Sequence, residues 1–198
     1  MVSEKQHNRC STNRKVTAIL QGRLGSKRLP GKVLLEQGTL EFKTKKEANA
    51  NNLASILFED QNVKSVFIGK DFVTITKKKN VDWDSIKPKI LSKILEFFSL
   101  GESIDTEKKS QKKEETYNKE DSKIVEQIKK LIDERVKPAV AQDGGDISFV
   151  KFDKGKVLLE LRGACSGCPS STITLKSGIE NMLKYYIPEI TSVEAVNQ

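Results

Sequence analysis

Cys165 and Cys168 stand three positions apart in the stretch Gly163-Ala164-Cys165-Ser166-Gly167-Cys168-Pro169-Ser170-Ser171. Two thiols at that spacing can chelate one metal atom or close a disulfide. The preceding run, Lys156–Leu161, is short, branched and apolar, which predicts a strand. Pro169 then opens a helix, with Ser170, Ser171 and Thr172 as candidate N-caps, and Leu175, Ile179, Met182, Leu183 and Tyr186 fall on one helical face. The pair is therefore expected at a strand-to-helix junction. The free N–H groups and the positive end of the helix dipole there would favour thiolate over thiol. Ser166 and Gly167 are small enough to let the backbone approach whatever the sulfurs hold.

Three chemistries compete for such a pair. Incidental cysteines fit poorly with an open, glycine-flanked turn. A thiol–disulfide oxidoreductase uses a Cys-x-x-Cys at a helix start. Thioredoxin-like domains, however, set an aromatic beside the first cysteine and a later proline facing the pair. Here the flank is Gly163-Ala164, and Pro188 follows the helix. Zinc and iron–sulfur clusters want about four soft ligands, and one chain supplies two at this site with no histidine near. Two copies meeting at Cys165 and Cys168 would supply four thiolates, and a cargo held across such an interface can be passed on. Spacing alone does not separate zinc from iron–sulfur.

Lys and Arg number 35 against 27 Asp and Glu, a formal surplus of +8. The lysines are dispersed and not interleaved with aromatics, so the surplus predicts no nucleic-acid partner. Three cysteines in 198 residues argue against a secreted disulfide scaffold and for a reducing compartment. No apolar run is long enough to cross a bilayer, so no membrane association is expected. A signal-peptide core is not evident at the N-terminus. His7 and Cys10 lie in a polar, irregular stretch and read as a solvated side chain and a surface thiol.

Composition divides the chain into residues 1–14, a disordered tail; 15–100, a small domain; 101–122, a flexible charged linker; and 123–198, a second domain. In the first domain, Lys32–Glu36 and Thr39–Lys43 are strand candidates, and Asn51 or Asn52 caps a short helix. Val63–Ile68 and Phe72–Thr76 form a hairpin, and Asp82 caps a longer helix in which Pro88 kinks or delays the start. In the second, Ile124, Ile128, Leu131, Ile132 and Val136 make a helix ended by Pro138. A glycine turn at Gln142–Asp146 leads to two strands, the Cys-x-x-Cys, a helix and a last strand at Ile190–Val196. The expected fold class is α+β: an N-terminal α+β domain with a mostly antiparallel sheet, then a C-terminal two-layer α/β domain.

Two resemblances rest on particular strings. Residues 15–34, with Gly22, Arg23, Gly25, Lys27 and Arg28, resemble the opening strand and phosphate-gripping loop of the nucleotide-sugar cytidylyltransferases, but none of that family's further βαβ units follow. Pro138–Asp146, Gly163–Thr172 and Thr174–Glu180 resemble the C-terminal domain of NifU in its Nfu-type branch, and Leu29 to about Leu100 resembles the N-terminal domain that accompanies it. The two families share Leu29–Leu34, which suggests a junction there that leaves residues 15–28 atypical; Val16–Leu20 has the β-character to serve as the displaced first strand. The Nfu resemblance implies an iron–sulfur carrier and no enzyme. It implies a [4Fe–4S] cluster, or a [2Fe–2S] one, ligated by Cys165 and Cys168 and bridged in a homodimer. An assembly donor and apo iron–sulfur acceptors would be its partners. The compartment expected is bacterial cytoplasm, with the mitochondrial matrix as the alternative.

Overall fold

The computed structural model describes residues 17–21, 34–35, 38–104, 121–166 and 169–196, with backbone alone for 17–21 and 169–172. Its residues gather into two compact units that divide between Ser110 and Gln111. His7, Cys10, Gly167, Cys168, the sequence-derived phosphate loop and most of the linker lie outside the described residues.

The first unit is a four-stranded sheet in the order β1-β4-β3-β2, every pair antiparallel, with three helices among the described residues. β1 is Thr17–Gln21 and pairs along β4, Phe72–Lys77. The expected replacement strand does form, one residue later than its sequence bounds. β2 is Leu40–Phe42 and β3 is Val63–Ile68. Leu34 and Leu35, expected in a strand, carry none. α1, Lys45–Ala48, was not foreseen; Thr44 caps it by accepting from Glu47 N–H. α2 is Asn52–Leu57, with Asn51 Oδ1 accepting from Ala54 N–H at 2.9 Å. α3, Trp83–Ser99, starts after Asp82 and runs through Pro88. The proline falls in its second turn, so the start is not delayed. Leu53, Leu57, Ile68, Ile75, Ile86 and Ile90 form the centre of this core, almost wholly out of water. Each such side chain contributes on the order of 1.5–3 kcal/mol relative to exposure. Ile104 is buried in the same core, and Asn52 Nδ2 donates to Ser103 O at 2.7 Å, so ordered packing continues past Leu100.

The second unit opens with α4, Ser122–Leu131, a widened π turn at Ile132–Val136, and α5, Lys137–Gln142. Pro138 does not end this helix, as the sequence reading expected. It has no N–H to give and its ring crowds the carbonyl four residues back. The chain instead shifts to a longer bond, Lys137 N–H to Ile132 O, and continues helically to Gln142. β5 (Gly145–Asp153) and β6 (Lys156–Gly163) are antiparallel, with a bulge between Phe149 and Lys151. α6, Pro169–Tyr186, returns the chain so that β7, Ser192–Val196, lies parallel to β6. The sheet order is β5-β6-β7. Val125, Ile128, Ile132, Val136 and Val140 from the helical arm meet Ile147, Leu159, Ile179, Leu183 and Val193 in one core. Tyr186, placed on the inner face by its spacing, is exposed instead, its ring under the Arg135 guanidinium at 4.9 Å.

Candidate functional site

The site is built where β6 ends. After Gly163, residues Ala164–Ser166 make a single 3₁₀ turn, and α6 begins at Pro169. That start already includes Ser170, Ser171 and Thr172, so none of these is the N-cap that the sequence suggested. Ser166 Oγ donates to Gly163 O at 2.9 Å and tightens the turn. Ala164 N–H donates to Gly144 O at 3.1 Å, tying the turn to the loop before β5.

Two adjacent glycines make that loop possible. Gly144 has φ +77°, a conformation that a side chain would strain. Gly145 serves by what it lacks: a Cβ there would stand 2.3 Å from Cys165 Sγ and 3.1 Å from Arg162 O. The sulfur of Cys165 therefore rests directly on the backbone of β5. Gly145 pairs with Gly163 in the sheet register, which brings residues eighteen apart in sequence to opposite sides of one seat. In the sequence these glycines signal turn geometry alone. The cue to the rest was a second glycine opening a strand, and only the cross-strand register gives it meaning.

Cys165 is buried, with 8% of its surface exposed, and forms no disulfide. Burial, joined by the negative charges of Asp143 and Asp146, pushes its thiol up to about 12. This corrects the expectation that the helix start would hold it as an exposed thiolate. Cys165 precedes the helix, on a turn folded inward, where desolvation outweighs any favourable dipole. Cys168 lies outside the described residues, so the pairing of the two sulfurs is not part of the geometry. Among the described residues, no group of three or more His, Cys, Asp and Glu side chains is placed to hold a metal. The donor types nonetheless suit a soft metal: one sulfur on a tight turn and, in the sequence, a second three residues on. No helix among the described residues is long and apolar enough to cross a membrane.

The unit with the glycine-seated cysteine turn and three-stranded mixed sheet matches the family model of the NifU-like domain over residues 128–194. A second model, the N-terminal domain of Nfu/NifU scaffold proteins, matches residues 25–101. The chain belongs to the Nfu-type, NifU-like family. It is 46% identical over 169 residues to the human protein named NFU1 iron-sulfur cluster scaffold homolog, mitochondrial, covering 85% of this chain and 66% of that one. It is 43% identical over 168 residues to NifU-like protein 4, mitochondrial, of Arabidopsis thaliana, covering 83% and 59%. The chain thus spans somewhat under two thirds of the length of these relatives. A solution NMR structure of a NifU-like protein from Saccharomyces cerevisiae aligns with 54% of this chain at 24% identity and a TM-score of 0.37, too loose a match to carry an argument.

Proposed function

We propose that this chain carries an iron–sulfur cluster on Cys165 and Cys168 and delivers it to apo-proteins, acting as a carrier with no catalytic chemistry of its own. The observation that carries the reading is the seating of Cys165 Sγ against Gly145 within a family whose relatives are named as iron–sulfur cluster scaffolds. We take the cargo to be a [4Fe–4S] cluster, with [2Fe–2S] the smaller alternative. Two sulfurs per chain leave half of a tetrathiolate shell unfilled, so a second copy supplies the rest. The relatives are named as mitochondrial, which favours the mitochondrion over bacterial cytoplasm, and we place the carrier in its matrix. The two-domain division proposed from composition gives the cluster domain its own tether, which raises its effective concentration near an acceptor held by the other domain.

The protein's own residues do three things in this scheme. Gly144 and Gly145 hold the turn, Ser166 braces it, and the buried setting keeps Cys165 protonated while no cargo is present. Ligation replaces that proton, because a thiol binds metal only as thiolate. The same protonated, buried state disfavours a resting thiol–disulfide oxidoreductase, whose attacking sulfur needs a low pKa.

Anaerobic reconstitution with iron and sulfide, followed by absorbance, Mössbauer spectroscopy and sedimentation, tests the reading. The expected product is a dimer with one cubane cluster per two chains. Cys165→Ser and Cys168→Ser should each abolish loading, and Cys10→Ser should not. Stable zinc binding with no cluster, or a loaded monomer, overturns it.

A further inference from the structure

The C-terminal end of α6 carries a second surface, about 27 Å along the helix from the cysteine turn at 1.5 Å per residue for eighteen residues. Tyr185 is 80% exposed and Tyr186 44% exposed, and their rings meet edge to face with centroids 5.0 Å apart. Arg135, on the widened turn, lays its guanidinium over the Tyr186 ring at 4.9 Å. At 80% exposure the Tyr185 ring contributes little to the core.

The charges around this cluster are already engaged. Asp133 pairs with Lys137 at 2.6 Å, Glu134 with Lys130 at 4.0 Å, and Glu180 with Lys184 at 2.7 Å. These are all the carboxylates on the widened turn and α6. Among the described residues Arg135 has the Tyr186 ring and no carboxylate. A guanidinium held over a ring by cation–π attraction still has N–H donors to offer a planar anion. Tyr and Arg are also the residue types that most often anchor protein interfaces.

We infer that Arg135, Tyr185 and Tyr186 form a docking surface for a protein segment that presents an aspartate or glutamate beside an apolar side chain. The carboxylate takes the edge of Arg135, and the apolar group packs on the exposed ring of Tyr185. A nucleic acid is the less fitting occupant. Residues 121–198 contain eleven Lys and Arg and eleven Asp and Glu, so this half of the chain offers a polyanion no electrostatic surplus. Because the surface sits at the far end of α6, a bound segment leaves the Cys165 turn uncovered. The inference does not depend on any cargo at that turn.

The test uses the full, unloaded chain labelled with ¹⁵N. The probe is a capped synthetic dodecapeptide alternating Glu with Leu and Phe; the same peptide with Gln for Glu and a decauridylate serve as controls. The acidic peptide should bind saturably and shift Arg135 Nε–H and the amides at the end of α6. Arg135→Gln and Tyr185→Ser should each weaken it by roughly tenfold, and the Gln peptide should bind as weakly as those variants. The ring contact of Tyr185 among the described residues is with Tyr186 alone, so Tyr185→Ser should leave the thermal midpoint unchanged and decides the matter even if Arg135→Gln folds poorly. Equal binding of the Gln peptide, preference for the oligonucleotide, shifts confined elsewhere, or no saturable binding each overturn the assignment.

Discussion

Both units send a strand into a helix, and the two junctions differ in every respect that matters for chemistry. In the first unit β4 gives way to α3 through Lys78, Lys79 and Asn80, all exposed, with Asp82 at the helix start. In the second, β6 gives way to α6 through a turn that folds a thiol inward onto glycine backbone. The charge is as unevenly divided. Residues 1–104 hold 19 Lys and Arg against 11 Asp and Glu, which is the whole surplus of +8. Helices packed on a small sheet thus serve as a neutral frame twice over, and the site is set by what the connecting turn carries.

The contrast is sharpest in reactivity. With its pKa near 12 against 9.0 for an ordinary thiol, Cys165 should have a thiolate fraction about a thousandfold lower at pH 8. Iodoacetamide labelling followed by mass spectrometry should show that lag against a cysteine peptide, and the lag should shrink as pH rises. The native state holds this proton more tightly than the unfolded chain does. Its contribution to stability is therefore intact below pH 9.0 and is lost as pH climbs towards 12. Labelling as fast as the peptide at pH 8 would mean that the sulfur does not sit where Gly145 leaves room for it.

A matched pair of glycine substitutions probes packing in the two units. A Cβ on Gly69 would meet the Phe72 ring at 2.4 Å, much as one on Gly145 meets Cys165 Sγ at 2.3 Å. Gly69→Ala and Gly145→Ala should each cost about 1–3 kcal/mol by calorimetry. Only Gly145→Ala should also lower the iron bound per chain. Equal loading by both variants would separate the glycine seat from the proposed function.

The smallest effect comes from two surface carboxylates. Lys184, then the Val193 N–H at 3.0 Å, hold Glu180 below its usual pKa, and Lys93 does the same for Glu59 in the first unit. Each contributes stability that is present above the ordinary carboxylate range and lost as pH falls through the lowered value. Glu180→Gln and Glu59→Gln should each flatten the acid limb of thermal stability, measured from neutrality to about pH 3. An unchanged limb would show that solvent screens both pairs fully.

Local rules read much of this fold from sequence alone. The β3–β4 hairpin and the Asn51 cap follow from turn chemistry and capping within a few residues; α3 starts after Asp82 as expected, but the Asp82 side chain makes no capping bond. The cysteine motif was equally plain, because metal-ligand spacing is a local pattern. What escaped was non-local. The burial of Cys165 depends on Gly145 arriving from another strand, and the guanidinium over the Tyr186 ring comes from Arg135 on another helix. Pro138 misled for a different reason: a proline usually ends a helix, but here a wider turn absorbs it.

That wider turn has a further consequence. Ile128, Ile132, Val136 and Val140 are all buried and recur every four residues. On a regular α-helix such a series drifts about 40° per step, and over three steps it would leave the core. The looser winding cancels the drift and acts as a phase corrector for the whole arm. Wound as a regular α-helix with the same residues, the stretch Ile132–Val136 would bring Gly144 and Gly145 to the sheet rotated by roughly 100°. The fit of a single sulfur atom is thus timed by the pitch of one helical turn about a dozen positions before the glycines that seat it.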